Sequence, residues 1–181
     1  NNETILAHTV NRLLSHKMIN KVIVALSEDD GYFEQTALAN NPNISRVNGG
    51  KERVDSVLSG LRAVDKNLSP WVLVHDAARP CVSHSDIDNL IKQCLSENRG
   101  GLLAAPVVDT IKQGASLGEN NLVQNTVDRS QLWHALTPQM YKADELELAI
   151  EQAQQKGLQI TDESSAIELA GLPSLLVSAS R

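Results

Sequence analysis

The chain has 181 residues, 41% apolar and 21% charged, with a formal net charge of -6. That size supports one folded domain with a sizeable core; no apolar run approaches the ~20 residues of a membrane-spanning helix, and the acidic balance opposes sequence-independent binding to nucleic acid. Aromatic residues are 3% of the total, so the expected core is aliphatic, and Cys81 and Cys94 have neither metal-type spacing nor a disulfide framework, which fits a reducing, cytoplasmic setting.

The elements follow in chain order. Thr4 caps a helix in which Ile5, Leu6, Val10, Leu13 and Leu14 recur at helical spacing. KVIVAL, residues 21–26, reads as a buried strand. Residues 31–40 predict a weak helix, and 44–47 a short strand broken by Gly49 and Gly50. Residues 52–64 place Val54, Val57, Leu58 and Leu61 on one helical face. WVLVH, residues 71–75, is a third strand; Ser83 or Ser85 then caps a helix through Ile87, Leu90, Ile91 and Leu95. Residues 101–108 predict a fourth strand, and 143–157 a helix stopped by Gly157. Over 161–171, Thr161 is the expected cap, Asp162 and Glu163 match the helix dipole, and Gly171 ends the turn. SLLVSA closes the series as a strand.

Strands alternating with helices imply an α/β domain with right-handed crossovers and a mostly parallel sheet. Residues 109–142 break the rhythm: they are polar, with GENN (118–121) as a turn signal between two extended runs. They are expected to form a hairpin-like arm inserted into a single domain spanning 1–181. The chain opens without Met and already heading into a helix, and it closes as an apolar strand finishes. Segments are therefore expected to be missing at both ends.

Three stretches carry candidate chemistry. In WVLVHDAARP (71–80) a buried strand ends in Asp76, where ligands of open parallel sheets collect. Ala77 and Ala78 leave room for backbone amides to approach a ligand, Arg79 offers a planar donor fork, and Pro80 turns the chain. The same residues read equally well as an Asp–Arg turn pair. In NGGKERVDSV (48–57) paired glycines precede a helix start, a backbone-rich pocket for an anion or base or a plain strand-to-helix turn; Asp55 and Ser56 lie in its first turns. NTVDRSQLWHALTPQ (125–139) clusters polar side chains without a nucleophile elbow and reads as an interaction arm. His8, His16 and His84 are expected on the surface or on a helix face, and Trp71 and Trp133 as packing anchors.

Taken together, VLVHDAARP, GGKERVDSVLSGL, LAAPVVDTIK, TVDRSQLWHALTPQ and ITDESSAIELAG resemble the 2-C-methyl-D-erythritol 4-phosphate cytidylyltransferases of the non-mevalonate isoprenoid pathway, in order and over nearly the whole chain. The resemblance implies a three-layer, Rossmann-like nucleotidyltransferase domain whose arm reaches into a homodimer partner. It implies joining of CTP to methylerythritol phosphate, with Mg2+, to give the cytidyl diphosphate alcohol and pyrophosphate. By position, Gly50 and Lys51 fall where the family holds cytosine, and Ser56 where it adds a further base contact. Asp76 matches the acid near the reacting phosphates, a metal contact through water. Ala77 matches an amide near the ribose, and Arg79 a substrate-side residue. Thr126 matches an arm threonine serving the partner's site.

Two residues depart from the family pattern. Lys51 stands where many relatives have Asp, and Lys142 is the candidate for an arm Arg, as a point charge in place of a fork. The family's amino-terminal AAGxGxRM loop and its later Lys segment have no counterpart here, so the activity is expected of the complete protein and little of it from these residues alone. A related sugar-phosphate nucleotidyltransferase and a non-catalytic module that dimerises through the arm are the rival readings.

Overall fold

Thr4 does cap the first helix. Its hydroxyl accepts from Ala7 N at 3.1 Å at the start of α1 (Ile5–Leu14) in the computed structural model, which describes residues 3–117 and 120–180. Strand β1 (Val22–Leu26) pairs in parallel with β2 (Ile44–Asn48). The helix expected over 31–40 is instead two short 3₁₀ turns, Phe33–Gln35 and Ala37–Asn40. Thr36 between them is extended at ψ 157°, its hydroxyl donating back to Phe33 O, so the helix cannot run through.

Helix α2 (Arg53–Arg62) starts at Glu52, whose N–H donates to Asp55 Oδ2 at 3.1 Å. Then come β3 (Trp71–Val74) and α3 (His84–Ser96), with Ser83 as the cap of α3. The rest of the chain forms β4 (Gly101–Pro106), β5 (Ile111–Leu117), β6 (Asn120–Val127), β7 (Trp133–Lys142), α4 (Ala143–Gln155), α5 (Glu163–Leu169) and β8 (Leu175–Ser178). The cap of α5 is Asp162, not Thr161: the Asp162 carboxylate accepts from Ser165 N at 2.9 Å, the geometry a first-turn N–H requires.

The main sheet has the order β3-β7-β4-β8. Strand β7 runs antiparallel to β3 and β4, while β4 and β8 are parallel. Three of these four strands therefore point the same way, in keeping with the mixed α/β class. The polar stretch over 109–142 divides in two. Strands β5 and β6 pair antiparallel with each other and with no other strand among the described residues. Residues 133–142, by contrast, leave that ribbon and enter the sheet as an interior strand. The turn expected at GENN includes Gly118 and Glu119, which lie outside the described residues.

Strand alternation sends side chains to two faces. Trp71 and Leu73 of β3 join Met140, Leu103 and Val177 against Ile87, Leu90 and Cys94 of α3. Val72 and Val74 join Tyr141 against Leu58 and Leu61 of α2, Leu146 and Ile150 of α4 and Ile167 of α5. Helices thus cover both faces of the sheet, in three layers. Each fully buried aliphatic side chain, such as Ile87 and Leu90 at 0% exposure, contributes about 1.5–3 kcal/mol by area removed from water.

A further cluster of Val10, Val24, Phe33 and Leu38 ties α1 to β1. His16, expected on the surface or a helix face, is 3% exposed, with Nε2 3.3 Å from Asp88 Oδ1 and its ring edge-on to His84. Both cysteines are free; burial pushes the Cys94 thiol up to about 11, which leaves it unreactive at neutral pH.

Candidate active site

The apolar run of β3 stops at Val74, and the next residues fold into a pinned turn. Arg79 N donates to Asp76 O at 3.1 Å, and the imidazole Nε2 of His75 lies 2.9 Å from Arg79 O. Asp76 N donates to Thr137 Oγ1 of β7 at 3.3 Å, and Thr9 Oγ1 of α1 donates to Ala77 O at 2.7 Å. The N–H groups of Ala77 and Ala78 find no acceptor within the described residues, and both residues are exposed. Two open amides on a fixed turn are a ready site for a hydroxyl or phosphate oxygen.

The Asp76 carboxylate sits between two guanidinium groups. Its Oδ1 accepts from Arg53 Nε at 3.2 Å and Arg53 Nη2 at 3.0 Å, and its Oδ2 faces Arg79 Nε at 3.1 Å. The Asp–Arg turn pair and the site reading therefore describe one arrangement. Arg53 reaches onward, with Nη1 2.6 Å from Glu163 Oε1 and Nη2 3.2 Å from Glu163 Oε2. Glu163 is 2% exposed, so it is a buried ion-pair partner as well as a first-turn acid.

Neither Arg53 nor Glu163 drew a role in the site from the sequence. Arg53 stands inside a motif already singled out, and a base one residue into a helix that opens onto the cleft was the available signal. For Glu163 the burial was invisible. Desolvation pulls the Arg53 pKa down, but the hydrogen bond and charge of Glu163, with those of Asp76, outweigh it and hold the value above the ordinary guanidinium range. Burial lowers the His75 pKa, so the imidazole favours the neutral form there.

The nucleotide-side candidates gather at the first turn of α2. Gly50 N donates to Ser56 Oγ at 3.1 Å, and Gly49 N to Leu26 O at 2.7 Å. A Cβ at Gly50 would lie 2.1 Å from Asp55 Cβ, so only glycine lets the chain pass this close to the helix. Lys51 is exposed, and its side chain makes no hydrogen bond or ion pair among the described residues. Arg53 on the same turn connects this group to Asp76, so Gly50, Ser56, Asp76, Ala77 and Arg79 belong to one region. Behind the Arg53–Glu163 pair, Val54, Ile150, Ile160 and Thr161 help line a cleft of about 210 Å³, which no expected site residue borders.

Thr126 and Lys142 lie apart from that region within the chain. Thr126 is on β6, where its hydroxyl accepts from Lys112 Nζ at 2.7 Å. Lys142 pairs with Trp71 at the amino end of β3, opposite to Asp76, and its ammonium rests 5.6 Å from the Trp71 ring centroid.

No group of three His, Cys, Asp or Glu among the described residues is placed to hold a metal ion. Both Asp76 oxygens already face guanidinium groups. Magnesium keeps several waters and is usually held by one or two carboxylates plus substrate phosphates. The donor set here fits an ion that arrives with phosphates and meets Asp76 through water.

Comparison with known proteins is consistent across sequence and fold. The profile of the IspD family, described as 2-C-methyl-D-erythritol 4-phosphate cytidylyltransferase, matches residues 1–181. A relative of that name from Colwellia psychrerythraea is 64% identical over 99% of this chain and 76% of its own length. One from Vibrio vulnificus is 54% identical over 96% of this chain and 73% of its own. The crystal structure of the Francisella tularensis 2-C-methyl-D-erythritol 4-phosphate cytidylyltransferase is 33% identical, with a TM-score of 0.84 over 100% of this chain and 81% of that one. A crystal structure described as 4-diphosphocytidyl-2C-methyl-D-erythritol synthase gives a TM-score of 0.85 at 32% identity, over 99% of this chain and 81% of that one.

Proposed function

The chain belongs to the 2-C-methyl-D-erythritol 4-phosphate cytidylyltransferase family, and on that premise we propose that it joins CTP to 2-C-methyl-D-erythritol 4-phosphate in isoprenoid precursor synthesis. A phosphate oxygen of methylerythritol phosphate attacks the α-phosphorus of CTP. The new P–O bond forms as the bond to the β-phosphate bridge breaks, giving 4-diphosphocytidyl-2-C-methyl-D-erythritol and pyrophosphate. The observation that carries the reading is the Arg53–Asp76–Arg79 cluster beside two open amides at the carboxyl end of β3.

Such a transfer needs little covalent work from the protein; positioning and charge neutralisation dominate. Asp76 and Arg79 face the reacting phosphates, and the Ala77 amide takes the ribose side. Gly50 and Ser56 hold cytosine through the first turn of α2, and Lys51 does so through its backbone, since its side chain points to solvent. Asp76 would hold Mg2+ through water, and the bound ion would supply positive charge against the phosphates. The active unit is a cytoplasmic homodimer in which Thr126 and Lys142 serve the partner's site. The self-paired β5–β6 ribbon, with Leu122 and Val123 exposed, supports that exchange; Lys142 has to leave the Trp71 ring to take part.

The test is a nucleotide panel on the full-length protein with methylerythritol phosphate and Mg2+, read as pyrophosphate release. CTP is expected to be preferred. Preference for UTP or GTP would assign a sugar-phosphate nucleotidyltransferase instead, and absence of both turnover and ligand binding would leave a dimerising module.

A further inference from the structure

Glu163 touches none of the residues assigned to substrate, yet it closes a circuit that returns to them. Val74, two residues before Asp76, is paired in register with Gln139 of β7. Gln139 is 1% exposed, and both ends of its amide are bonded to the start of α5: Nε2 donates to Asp162 Oδ2 at 2.9 Å, and Oε1 accepts from Ser164 N at 2.9 Å. Those two partners flank Glu163 on either side. Glu163 in turn grips Arg53 through both carboxylate oxygens, and Arg53 grips Asp76 Oδ1 through Nε and Nη2. The path thus runs from β3 through β7, α5 and α2 back to the residue that ends β3.

Each link is of a kind that holds geometry. A buried carboxylate stripped of its partner is costly, so Glu163 keeps Arg53 in place. The guanidinium is planar, and fixing one edge on Glu163 fixes the other edge toward Asp76. Arg53 is 43% exposed along its side chain, so without Glu163 it would be free to swing into solvent. We propose that Glu163 is a positioning residue for Asp76, acting through Arg53, and that the ITDESS segment thereby serves the reacting centre without contacting it. This rests on Asp76 being the carboxylate at the reacting phosphates.

The experiment is a mutant cycle in the full-length enzyme with CTP, methylerythritol phosphate and Mg2+. Glu163→Gln keeps the shape and removes the charge. It is expected to lower kcat by about 10- to 100-fold, the scale of a small misplacement in a site, with KM for CTP changing by less than about threefold. In an Asp76→Asn background the same substitution should change kcat by less than about twofold, because the group it positions is already lost. Full kcat in Glu163→Gln, or losses that multiply in the double variant as a general structural defect would make them, overturns the proposal. If Glu163→Gln does not fold, Arg53→Lys, which keeps the charge and loses the fork, carries the same expectation and the same refutation. A readout without turnover separates this from failure of the proposed reaction. The Arg53 Nε–H resonance should be sharp in the wild type and broadened by solvent exchange in Glu163→Gln, whatever the substrate. An unchanged signal overturns the positioning role even if the reaction is as stated. A broadened signal in a protein that makes no product upholds the link and rejects the reaction.

Discussion

Thr9 Oγ1 donates to the carbonyl of Ala77 at 2.7 Å, joining α1 to the turn after β3 across 68 residues of sequence. Thr9 is 3% exposed, so the bond is shielded from water on the α1 side. With Thr137 on the amide of Asp76 and His75 on the carbonyl of Arg79, the turn is held at three points while its outward amides stay open.

Thr9→Val keeps the volume and removes one of those points. A single neutral hydrogen bond of this kind is worth about 1 kcal/mol net. Urea denaturation is expected to show a loss of that size, accompanied by faster amide exchange at Ala77 and Ala78. Equal exchange in variant and wild type would mean that α1 does not hold the turn.

Asp76→Asn removes charge while keeping shape. Its kcat is expected to fall by about 100-fold or more, with a much smaller change in KM for CTP, the pattern of a contact made chiefly in the transition state. The fold should survive, since Asp76 packs little. Wild-type kcat in the folded variant removes Asp76 from the mechanism.

Gly50 and its neighbour Lys51 should respond in opposite ways. A methyl at Gly50 collides with Asp55 Cβ at 2.1 Å, so Gly50→Ala is expected to cost about 1–3 kcal/mol by overpacking and to weaken CTP binding along with it. Lys51→Ala, at an exposed side chain without partners among the described residues, should stay within about 0.5 kcal/mol in stability. A large loss of CTP binding in Lys51→Ala would show that the base is held by the side chain and not the backbone.

His75 gives a pH signature. Burial sets its folded pKa below the ordinary 6.5, against the hydrogen bond to the Arg79 carbonyl and the Asp76 charge, which pull it up, while the Arg79 charge adds to the lowering. Between the folded value and 6.5 the unfolded chain binds more protons, so this contribution is complete above pH 6.5 and declines as pH falls from there toward the folded value. Protonation would place an N–H on Nδ1, which is buried and has no partner. The stability gap between wild type and His75→Gln should narrow from about pH 7.5 to about pH 5.5. A constant gap would contradict the assignment.

The exchange between subunits can be tested by symmetry. Asp76→Ala homodimers and Thr126→Ala/Lys142→Ala homodimers should each be nearly inactive. Unfolded together and refolded, about half the dimers are mixed, and each mixed dimer has one intact site. Activity should return to roughly a quarter of wild type. No recovery, with mixed dimers confirmed by mass spectrometry, means the ribbon does not supply the partner's site.

Local signals were the legible part of this sequence. Thr4 and Ser83 announce helix starts because their hydroxyls satisfy N–H groups three residues on, a bond that needs no distant partner. Asp76 stands out because an acid two residues past four apolar strand residues marks the end of a strand. Strand β7 did not stand out: Gln139 and Pro138 interrupt its apolar pattern, and Gln139 is tolerable inside only because Asp162 and Ser164 satisfy it from another helix. The second function of Glu163 was equally hidden. A glutamate in a first turn reads correctly as a dipole match, while its ionic partner lies 110 residues away. Periodicity carries no information about such pairings.

The place of β7 between β3 and β4 also sets an order of assembly. Residues 71–74 and 101–106 leave the ribosome well before their shared neighbour, residues 133–142. Until that neighbour arrives, each early strand presents an edge of unpaired amides and carbonyls, the kind of surface that recruits foreign strands. At about 5–20 residues per second of synthesis, the wait lasts seconds. The late strand that brings Gln139 to α5 is thus also the one that covers the facing edges of β3 and β4.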